Sequence, residues 1–316
     1  MKIIFAGTPK FAAHHLEILT GSQHEVVAVL TQPDRKSGRG SKVSTSPVKD
    51  KATEKGIKIL QPNSLKEEGM AEKLQSLQPD IIFVVAYGLL VPTEVLNIPK
   101  LCCLNVHASL LPRWRGAAPM EYAIQEGDKE SGLTFMRMTE GLDEGPMLKM
   151  LSCNLTNDET LGSLEEKFMN LSTNGLLGFL EEFEKGLIPE VEQQDKGSSY
   201  AHKIDNHFKQ LDWAVEESRE IERRVRALEP KHGAFSFLGK DRIKISASSF
   251  CESNTDIFPG HIEIVDNKII VGCKNNTRLK IEQLQMAGKK SAGSEDFIRG
   301  YKKLLLEEKK FSYIKS

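Results

Sequence analysis

Apolar positions follow two different periods over the first 150 residues, and their alternation predicts a layered α/β fold. Short continuous apolar runs, typical of strands buried on both faces, lie between segments with apolar residues every three or four positions, typical of amphipathic helices. Strands are predicted at 2–6, 25–30, 57–60, 80–85 and 102–107, and helices at 11–19, 47–56 and 64–77. This order predicts a doubly wound, mostly parallel (Rossmann-like) sheet with its site beyond the carboxyl ends of the strands.

Two of the predicted helices carry signals at their amino ends. Ser46 followed by Pro47 is typical of an N-cap with proline at the first helical position. Ser64 and Glu67 have the spacing of a capping box, so the third helix is expected to begin there.

A different pattern follows a long helical segment at 158–184. The stretch 186–199 is polar and lacks periodicity, which predicts a linker, placed at 190–206, between a domain at 1–189 and a smaller domain at 207–316. In the second domain a basic amphipathic helix at 216–228 precedes short β-like runs at 234–238, 243–247, 261–265, 268–271 and 278–283. Short strands separated by turn residues predict a small β-barrel or a sandwich.

Composition narrows the class of protein. The chain has 39% hydrophobic and 28% charged residues, close to an ordinary globular protein. No apolar run approaches the roughly 20 residues of a membrane span, and the first residues lack the apolar core of a signal peptide. The five cysteines form no C-x-x-C pair, so reduced thiols and a cytoplasmic protein without membrane contact are expected.

Charge is distributed unevenly along the chain. The formal net charge is −1, but residues 201–316 hold 22 Lys and Arg against 17 Asp and Glu, a net +5, which leaves −6 for the rest. Such asymmetry favours a polyanion-facing segment, although a modest excess is also typical of a solvated surface.

The densest cluster of reactive residues follows the strand at 102–107. Asn105 and His107 are two positions apart, so on a strand they share a face. An amide donor beside an imidazole can stabilise an oxyanion and move a proton near neutral pH. A buried core histidine and a turn-forming asparagine are the alternative interpretation, weakened by the Pro- and Gly-rich loop that follows.

Asp143 supplies the third group, in a loop expected between two strands. Such an aspartate is often only a turn residue, but beside His107 a carboxylate would orient the ring and favour its charged form. The three residues, with no serine or cysteine placed as a nucleophile, favour group transfer without a covalent enzyme intermediate. The G-x-G-x-x-G, Walker A, H-E-x-x-H and C-x-x-C motifs do not occur, so neither a dinucleotide nor a metal is expected.

Read together, these motifs resemble the methionyl-tRNA formyltransferase family along nearly the whole chain. The matching segments are F-A-G-T-P-x-F-A at 5–12, T-Q-P-D-R-x-x-G-R-G at 31–40, S-P-V-K at 46–49, V-V-A-Y-G-L at 84–89, N-V-H-A-S-L-L-P-R-W-R-G-A-A-P at 105–119, G-L-D-E-G-P-M-L at 141–148 and A-G-K-K at 287–290. Two positions depart from the family pattern. Ala108 stands where glycine is common, and no tryptophan follows Pro230, which makes the C-terminal contacts less transferable.

The resemblance implies formyl transfer from 10-formyltetrahydrofolate to the α-amine of methionyl initiator tRNA by a monomer that uses no metal. It implies that Asn105 and His107 stabilise the oxyanion and that Asp143 holds His107 charged. It implies folate contacts from Ser109, Leu110, Leu111, Pro112, Tyr87, Gly88 and Leu89. The domain at 1–189 would then be catalytic, and that at 207–316 would be a β-barrel similar to an OB fold that binds tRNA.

Fewer residues can be assigned to contacts with the formyl acceptor. Phe11 is assigned to the methionine pocket, with a place in the helix core as an equal alternative. The long loop after the second strand, 31–50, carries five basic residues against two acidic ones, and its Arg35, Lys36, Arg39 and Lys42 are expected to contact tRNA phosphates. We expect this loop to be mobile. Formyl transfer to an amino-sugar nucleotide or another small amine, or a folate- or RNA-binding module without activity, remain the alternatives.

Overall fold

The computed structural model describes residues 1–37, 42–251 and 256–314. Contacts between Cα atoms divide the chain into two compact units, which we call the first and second unit. The first unit comprises residues 1–116, 130–154 and 165–200, and the second comprises 117–129, 155–164 and 201–316. The segments 117–129 and 155–164 therefore belong to the second unit, although they lie within the range expected for the first domain.

A seven-stranded sheet forms the first unit, in the spatial order β10-β9-β7-β6-β1-β2-β5. Five neighbouring strands, from β5 to β7, are parallel, β9 is antiparallel to β7, and β10 is antiparallel to β9. The strands of this part of the chain are β1 (Lys2–Gly7), β2 (Glu25–Leu30), β3 (Arg35–Ser37), β4 (Lys42–Ser44), β5 (Ile59–Leu60), β6 (Ile81–Val85), β7 (Cys102–His107), β8 (Arg115–Gly116), β9 (Glu130–Arg137), β10 (Met147–Asn154) and β11 (Tyr200–Ala201). The predicted doubly wound, mostly parallel sheet is confirmed.

The helices within residues 1–209 are α1 (Lys10–Thr20), α2 (Pro47–Glu54), α3 (Met70–Gln75), α4 (Thr93–Leu96), α5 (Pro119–Glu126), α6 (Leu161–Glu184) and α7 (Asn206–Lys209). Ser46 caps α2 as predicted, because its side chain accepts a hydrogen bond from the Lys49 amide. The prediction of a helix from 64 was wrong. Glu67 does bond back to the amides of Asn63 and Ser64, but it closes only a turn. The helix begins after Gly69, which has a φ of +76° that a helix interior does not allow.

The strand order explains where a site can form. From β1 the chain winds outward through β2 to β5, then returns to place β6 on the other side of β1. The winding therefore reverses between β1 and β6, and ligands of such sheets bind at this switch point. Here the Tyr87 carbonyl, just beyond β6, accepts hydrogen bonds from Thr8 Oγ1 and Gln32 Nε2, which follow β1 and β2. These bonds fix the carboxyl edge of the sheet.

The second unit is built on a curled antiparallel sheet, as predicted for the C-terminal region. Its order is β14-β15-β16-β13-β12-β18, and a bridge between His261 and Lys310 joins the chain beside β14 to the chain beside β18. Its elements are β12 (Ala234–Leu238), β13 (Asp241–Phe250), β14 (Ile262–Val265), β15 (Lys268–Gly272), β16 (Arg278–Met286), β17 (Ala292–Gly293), β18 (Phe311–Ser312), α8 (Ser218–Leu228) and α9 (Ser294–Glu308).

The core of the second unit explains why the pattern at 216–228 is amphipathic. Ile221, Val225 and Leu228 of α8 are fully buried with Ile243 and Ile245 of the facing strand β13. The helix α9 was not predicted. None of the helices within the described residues combines the length and the apolar character needed to cross a bilayer.

The buried side chain of His15 in the first unit makes the free energy of unfolding depend on pH. His15 of α1 is fully buried, its Nδ1 lies 2.8 Å from the Phe11 carbonyl oxygen, and its Nε2 lies 2.7 Å from Ser172 Oγ. Burial lowers the pKa of His15 to about 4, and the neighbouring His14 acts in the same direction. The folded chain therefore holds a neutral ring at pH values where the unfolded chain is protonated.

We expect the free energy of unfolding to fall between about pH 7 and pH 4 by up to about 3 kcal/mol through this residue, and to level off below pH 4. Urea unfolding at several pH values measures the effect. In H15Q this part of the pH dependence should vanish, and in the neighbouring control H14Q it should persist. An identical pH dependence in H15Q and the wild type would contradict the assignment.

Candidate active site

The strand β7 carries Asn105 and His107, the two residues predicted from the sequence to be reactive. It lies between β6, to which it is parallel, and β9, to which it is antiparallel, so its carboxyl end opens at the edge described above. Asn105 is half-buried and His107 is buried, with 5% of its surface exposed. Both contact Asp143 from the loop between β9 and β10, so the structure brings together the three residues predicted to act together.

His107 is held by oxygen atoms on both sides of its ring. Its Nε2 lies 2.8 Å from the carbonyl oxygen of Trp114, and its Nδ1 lies 3.6 Å from Asp143 Oδ2. Trp114 has a φ of +64°, an uncommon conformation for a residue with a side chain. The chain turns there so that its carbonyl faces the imidazole. Nε2 is therefore within hydrogen-bond distance of its partner, whereas Nδ1 faces the Asp143 carboxylate at a longer distance.

The carboxylate of Asp143 joins several chain segments. Its Oδ1 accepts a hydrogen bond of 3.3 Å from Asn105 Nδ2, and its Oδ2 accepts one of 2.9 Å from the Gly116 amide. Asp143 itself has a φ of +55°. The carboxylate is therefore fixed by β7 and by the loop after β7, and its backbone is strained.

The predicted folate loop, Ser109 to Pro112, follows β7 directly and depends on a residue that the sequence analysis missed. Thr134 of β9 is fully buried, and its hydroxyl donates to the Ser109 carbonyl oxygen at 2.7 Å. The same oxygen atom of Thr134 accepts from the Leu111 amide at 3.1 Å. Thr134 lies in a strand with no recognisable motif around it, so this role could not be predicted from the sequence.

Serine and cysteine side chains near this strand are poorly suited to attack. The Ser109 hydroxyl is buried and donates to the Arg113 carbonyl oxygen at 2.6 Å. Burial raises the pKa of the Cys102 thiol to about 11 and that of Cys103 to about 12, so both are protonated near neutral pH. These three residues therefore offer no ready nucleophile.

The segment after β6 was expected to border the folate. The Tyr87 side chain lies in the apolar core rather than in the cleft, and burial raises the pKa of its phenol, which stays neutral. Gly88 is exposed with a φ of +80°, and Leu89 is half-buried. At these positions the chain therefore presents mainly backbone at the carboxyl edge.

Phe11 and the basic loop complete the predicted site residues. Phe11 is buried, with 3% exposed, and its ring meets the His15 ring edge-on at 4.6 Å. Such packing is that of a helix core.

The loop after β2 contains a hairpin, β3 paired with β4, in which Arg35 lies opposite Ser44. Arg35 is exposed, only the backbone of Lys36 and Lys42 is described, and Arg39 lies outside the described residues. Lys49, also counted as basic in this loop, forms an ion pair of 2.6 Å with Asp34.

Within residues 1–37, 42–251 and 256–314, no group of three or more His, Cys, Asp and Glu side chains is arranged to hold a metal ion.

The fold and this cluster define an α/β group-transfer enzyme of the formyltransferase class. The family described as formyl transferase matches residues 1–180, and the formyl transferase C-terminal domain matches residues 203–302. A methionyl-tRNA formyltransferase from Marinobacter nauticus is 43% identical over 307 residues, which cover 97% of this chain and 98% of that protein. The chain belongs to the methionyl-tRNA formyltransferase family.

Solved structures show the same fold at low identity. A methionyl-tRNA formyltransferase from Clostridium thermocellum has a TM-score of 0.57 at 17% identity, covering 80% of this chain and 95% of that chain. An N-formyltransferase from Helicobacter canadensis, in complex with folinic acid and dTDP-3-aminofucose, has a TM-score of 0.67 at 18% identity, covering 90% and 99%.

Thr134→Val keeps the shape of the side chain but removes the hydroxyl that serves both Ser109 and Leu111. We expect the free energy of unfolding to fall by about 1–3 kcal/mol, because a buried carbonyl and a buried amide lose their partner. Denaturant unfolding measures this loss. Thr134→Ser keeps the hydroxyl and should recover most of the stability, and equal losses in both variants would show that the hydroxyl is not the cause.

Proposed function

We propose that this protein transfers the formyl group of 10-formyltetrahydrofolate to the α-amine of methionine carried by initiator tRNA. The observation that carries the proposal is the meeting of an amide, an imidazole and a carboxylate (Asn105, His107 and Asp143) at the carboxyl edge of the sheet. The Marinobacter relative supports the acceptor, and the folinic acid bound by the Helicobacter neighbour supports a folate donor. The proposal includes a monomer that acts in the cytoplasm.

In the proposed reaction the lone pair of the neutral α-amine attacks the formyl carbon. A carbon–nitrogen bond forms while the carbonyl electrons move to oxygen, which leaves an alkoxide and an ammonium in a tetrahedral intermediate. Collapse restores the carbonyl and breaks the bond to N10 of the folate. One proton passes from the ammonium to N10, and tetrahydrofolate leaves.

Asn105 and His107 are proposed to stabilise the alkoxide. Asn105 donates one amide hydrogen to Asp143, and its second amide hydrogen is the one proposed for the substrate. His107 has Nε2 engaged by Trp114, so Nδ1 is its donor and the proton carrier. Asp143 holds both side chains and balances the positive charge of a protonated ring.

The folate contacts are proposed for two segments at the same edge. Leu110 and Pro112 are half-buried in a loop braced by Thr134, so part of each faces the cleft. Exposed backbone at Gly88 and the flanking Tyr87 and Leu89 suits a pteridine, whose edge requires hydrogen-bonding partners close to the chain.

The acceptor contacts are proposed for the hairpin after β2, with Arg35, Lys36, Arg39 and Lys42 meeting phosphates. This hairpin leaves the sheet at the carboxyl end of β2, the edge that also carries His107. Phe11, just after the carboxyl end of β1, is proposed as a wall of the methionine pocket. The C-terminal unit is proposed to bind tRNA, although Arg224 and Arg226 of α8 are already paired with Glu216 and Glu222.

Acceptor competition tests the proposal. The protein receives 10-formyltetrahydrofolate with methionyl initiator tRNA, with methionyl elongator tRNA, or with an amino-sugar nucleotide, and formyl transfer is followed. We expect the initiator to be formylated much faster than the other two. Preference for the amino-sugar nucleotide would overturn the proposed acceptor and leave a small-molecule formyltransferase.

Asn105→Ala and His107→Ala test the chemical roles. Each should lower kcat by about 100- to 1,000-fold, the usual cost of losing one oxyanion donor, with folate affinity nearly unchanged. Steady-state kinetics and equilibrium folate binding separate the two effects. Near-normal turnover in either variant would rule out its assigned role.

Arg35→Ala tests the tRNA contact of the hairpin. The Arg35 side chain is exposed and takes part in no ion pair or hydrogen bond with the side chains and backbone of residues 1–37, 42–251 and 256–314, so its charge is available to a phosphate. We expect weaker use of charged tRNA, unchanged folate affinity, and a salt dependence of tRNA binding that is shallower by about one unit. The matched control is Lys185→Ala, which removes an exposed charge at the end of α6. An equal change in both variants would indicate only a general charge effect.

A further inference from the structure

The segment that the sequence predicted as a linker contacts the candidate active site. Met147 of β10 and Val191 form an isolated antiparallel bridge, with N–O distances of 2.8 and 2.9 Å. Further along, the Ser199 hydroxyl accepts from the Trp114 amide at 3.0 Å, and the Ser199 carbonyl oxygen accepts from the Arg115 amide at 2.8 Å. Residues 191–199 therefore run along the loops that carry Trp114 and Asp143. All of them belong to the first unit.

Gln193 makes the central contact of this segment. Its amide nitrogen Nε2 lies 2.8 Å from the Asp143 carbonyl oxygen and 2.8 Å from the Gly145 carbonyl oxygen. Its Oε1 accepts a hydrogen bond of 2.9 Å from Arg115 Nε. Both hydrogens and the oxygen of the side-chain amide are thus used. Among neutral side chains, only a carboxamide offers two donors on one nitrogen with an acceptor beside them.

Arg115 determines which way the amide of Gln193 faces. Arg115 is buried, with 4% exposed, and a guanidinium can only donate. The atom of Gln193 nearest to it must therefore be the oxygen, which directs the nitrogen to the loop. Arg115 Nη1 also lies 3.6 Å from Glu144 Oε1, which accepts from the Tyr200 hydroxyl at 3.0 Å. Two successive loop residues, Asp143 and Glu144, are thereby held from the same side.

The loop around Asp143 requires such support. Asp143 adopts a left-handed φ, which costs about 1 kcal/mol or more for a residue with a side chain. Gly145 packs so closely on the Arg137 carbonyl oxygen that a Cβ there has no room. Gln193 satisfies the carbonyls on both sides of Glu144, so it fixes the backbone from which the Asp143 carboxylate projects toward His107 and Asn105.

We propose that Gln193 is a positioning residue for formyl transfer. It sets the Asp143 carboxylate at His107 through the loop backbone, and it does not touch the substrate. The proposal rests on the proposed function for its activity assay. It differs from a purely structural role because its effect passes through one side chain, that of Asp143.

Gln193→Glu is the sharpest variant. It keeps the shape of the side chain and the oxygen that accepts the hydrogen bond from Arg115. It replaces the nitrogen that donates to two carbonyl oxygens by a second acceptor oxygen. We expect kcat to fall by about 10- to 100-fold, as for other residues that orient reactive groups, with KM for both substrates little changed. The matched control is Gln194→Glu, the same change at an exposed neighbour, which should keep full activity.

A double-mutant cycle tests whether Gln193 acts through Asp143. In the Asp143→Ala background, where no carboxylate remains to be positioned, Gln193→Glu should cause no further loss in a single-turnover assay. Losses that multiply independently would overturn the proposal. So would unchanged kcat in Gln193→Glu, or a loss that appears only in KM or in thermal stability.

The proposed acceptor can fail separately from this inference. If the protein formylates another acceptor, the same cycle is run with that acceptor. If it formylates none, NMR of the His107 ring decides, since Gln193→Met and Asp143→Asn should move the same ring resonances in the same direction and Gln194→Met should not. Ring resonances unmoved in Gln193→Met would overturn the positioning role.

Discussion

The Asp143 carboxylate is the contact on which the rest of the site depends. It accepts hydrogen bonds from the Asn105 side chain of β7 and from the Gly116 amide of β8, and it faces His107. Without it two half-buried donors lose their acceptor, and His107 loses the group that faces Nδ1. The same residue has a left-handed backbone, and its carbonyl is held by the Gln193 side chain from a distant segment. The α/β sheet brings these segments together, and hydrogen bonds from loops determine where the carboxylate lies.

Much of the first unit could be predicted because its strands are buried on both faces. The predicted bounds of β2 and β7 match the structure to the residue. The helix predicted from 64 could not be placed by its capping signal alone, because Gly69 decides where the chain becomes helical. The three reactive residues lie in local motifs and could be found. Thr134 and Gln193 could not, because they bond to backbone atoms of distant residues, and such bonds leave no pattern in the sequence.

The number of charged residues in a segment says less about polyanion binding than the partners that those residues have in the structure. The C-terminal excess of positive charge includes Arg224 and Arg226, each held by a glutamate of its own unit. In the basic loop Lys49 is neutralised by Asp34, whereas Arg35 is exposed. A paired cation gives up its carboxylate before it can bind a phosphate, so its contribution to polyanion binding is smaller than its formal charge. The side chains that matter are those without a partner, and only the folded chain identifies them.

The contacts of residues 191–199 have a consequence for the order in which the protein becomes competent during its synthesis. Gln193 lies 78 positions after Arg115, and Ser199 lies 85 after Trp114. All seven strands of the first sheet, and the three reactive residues, leave the ribosome before this segment does. A nascent chain can therefore form the sheet while the loops that orient Asp143 and His107 still lack their last partners. The site is therefore completed late. Residues 191–199 have to contact loops from much earlier in the chain, after the sheet around the site has already folded.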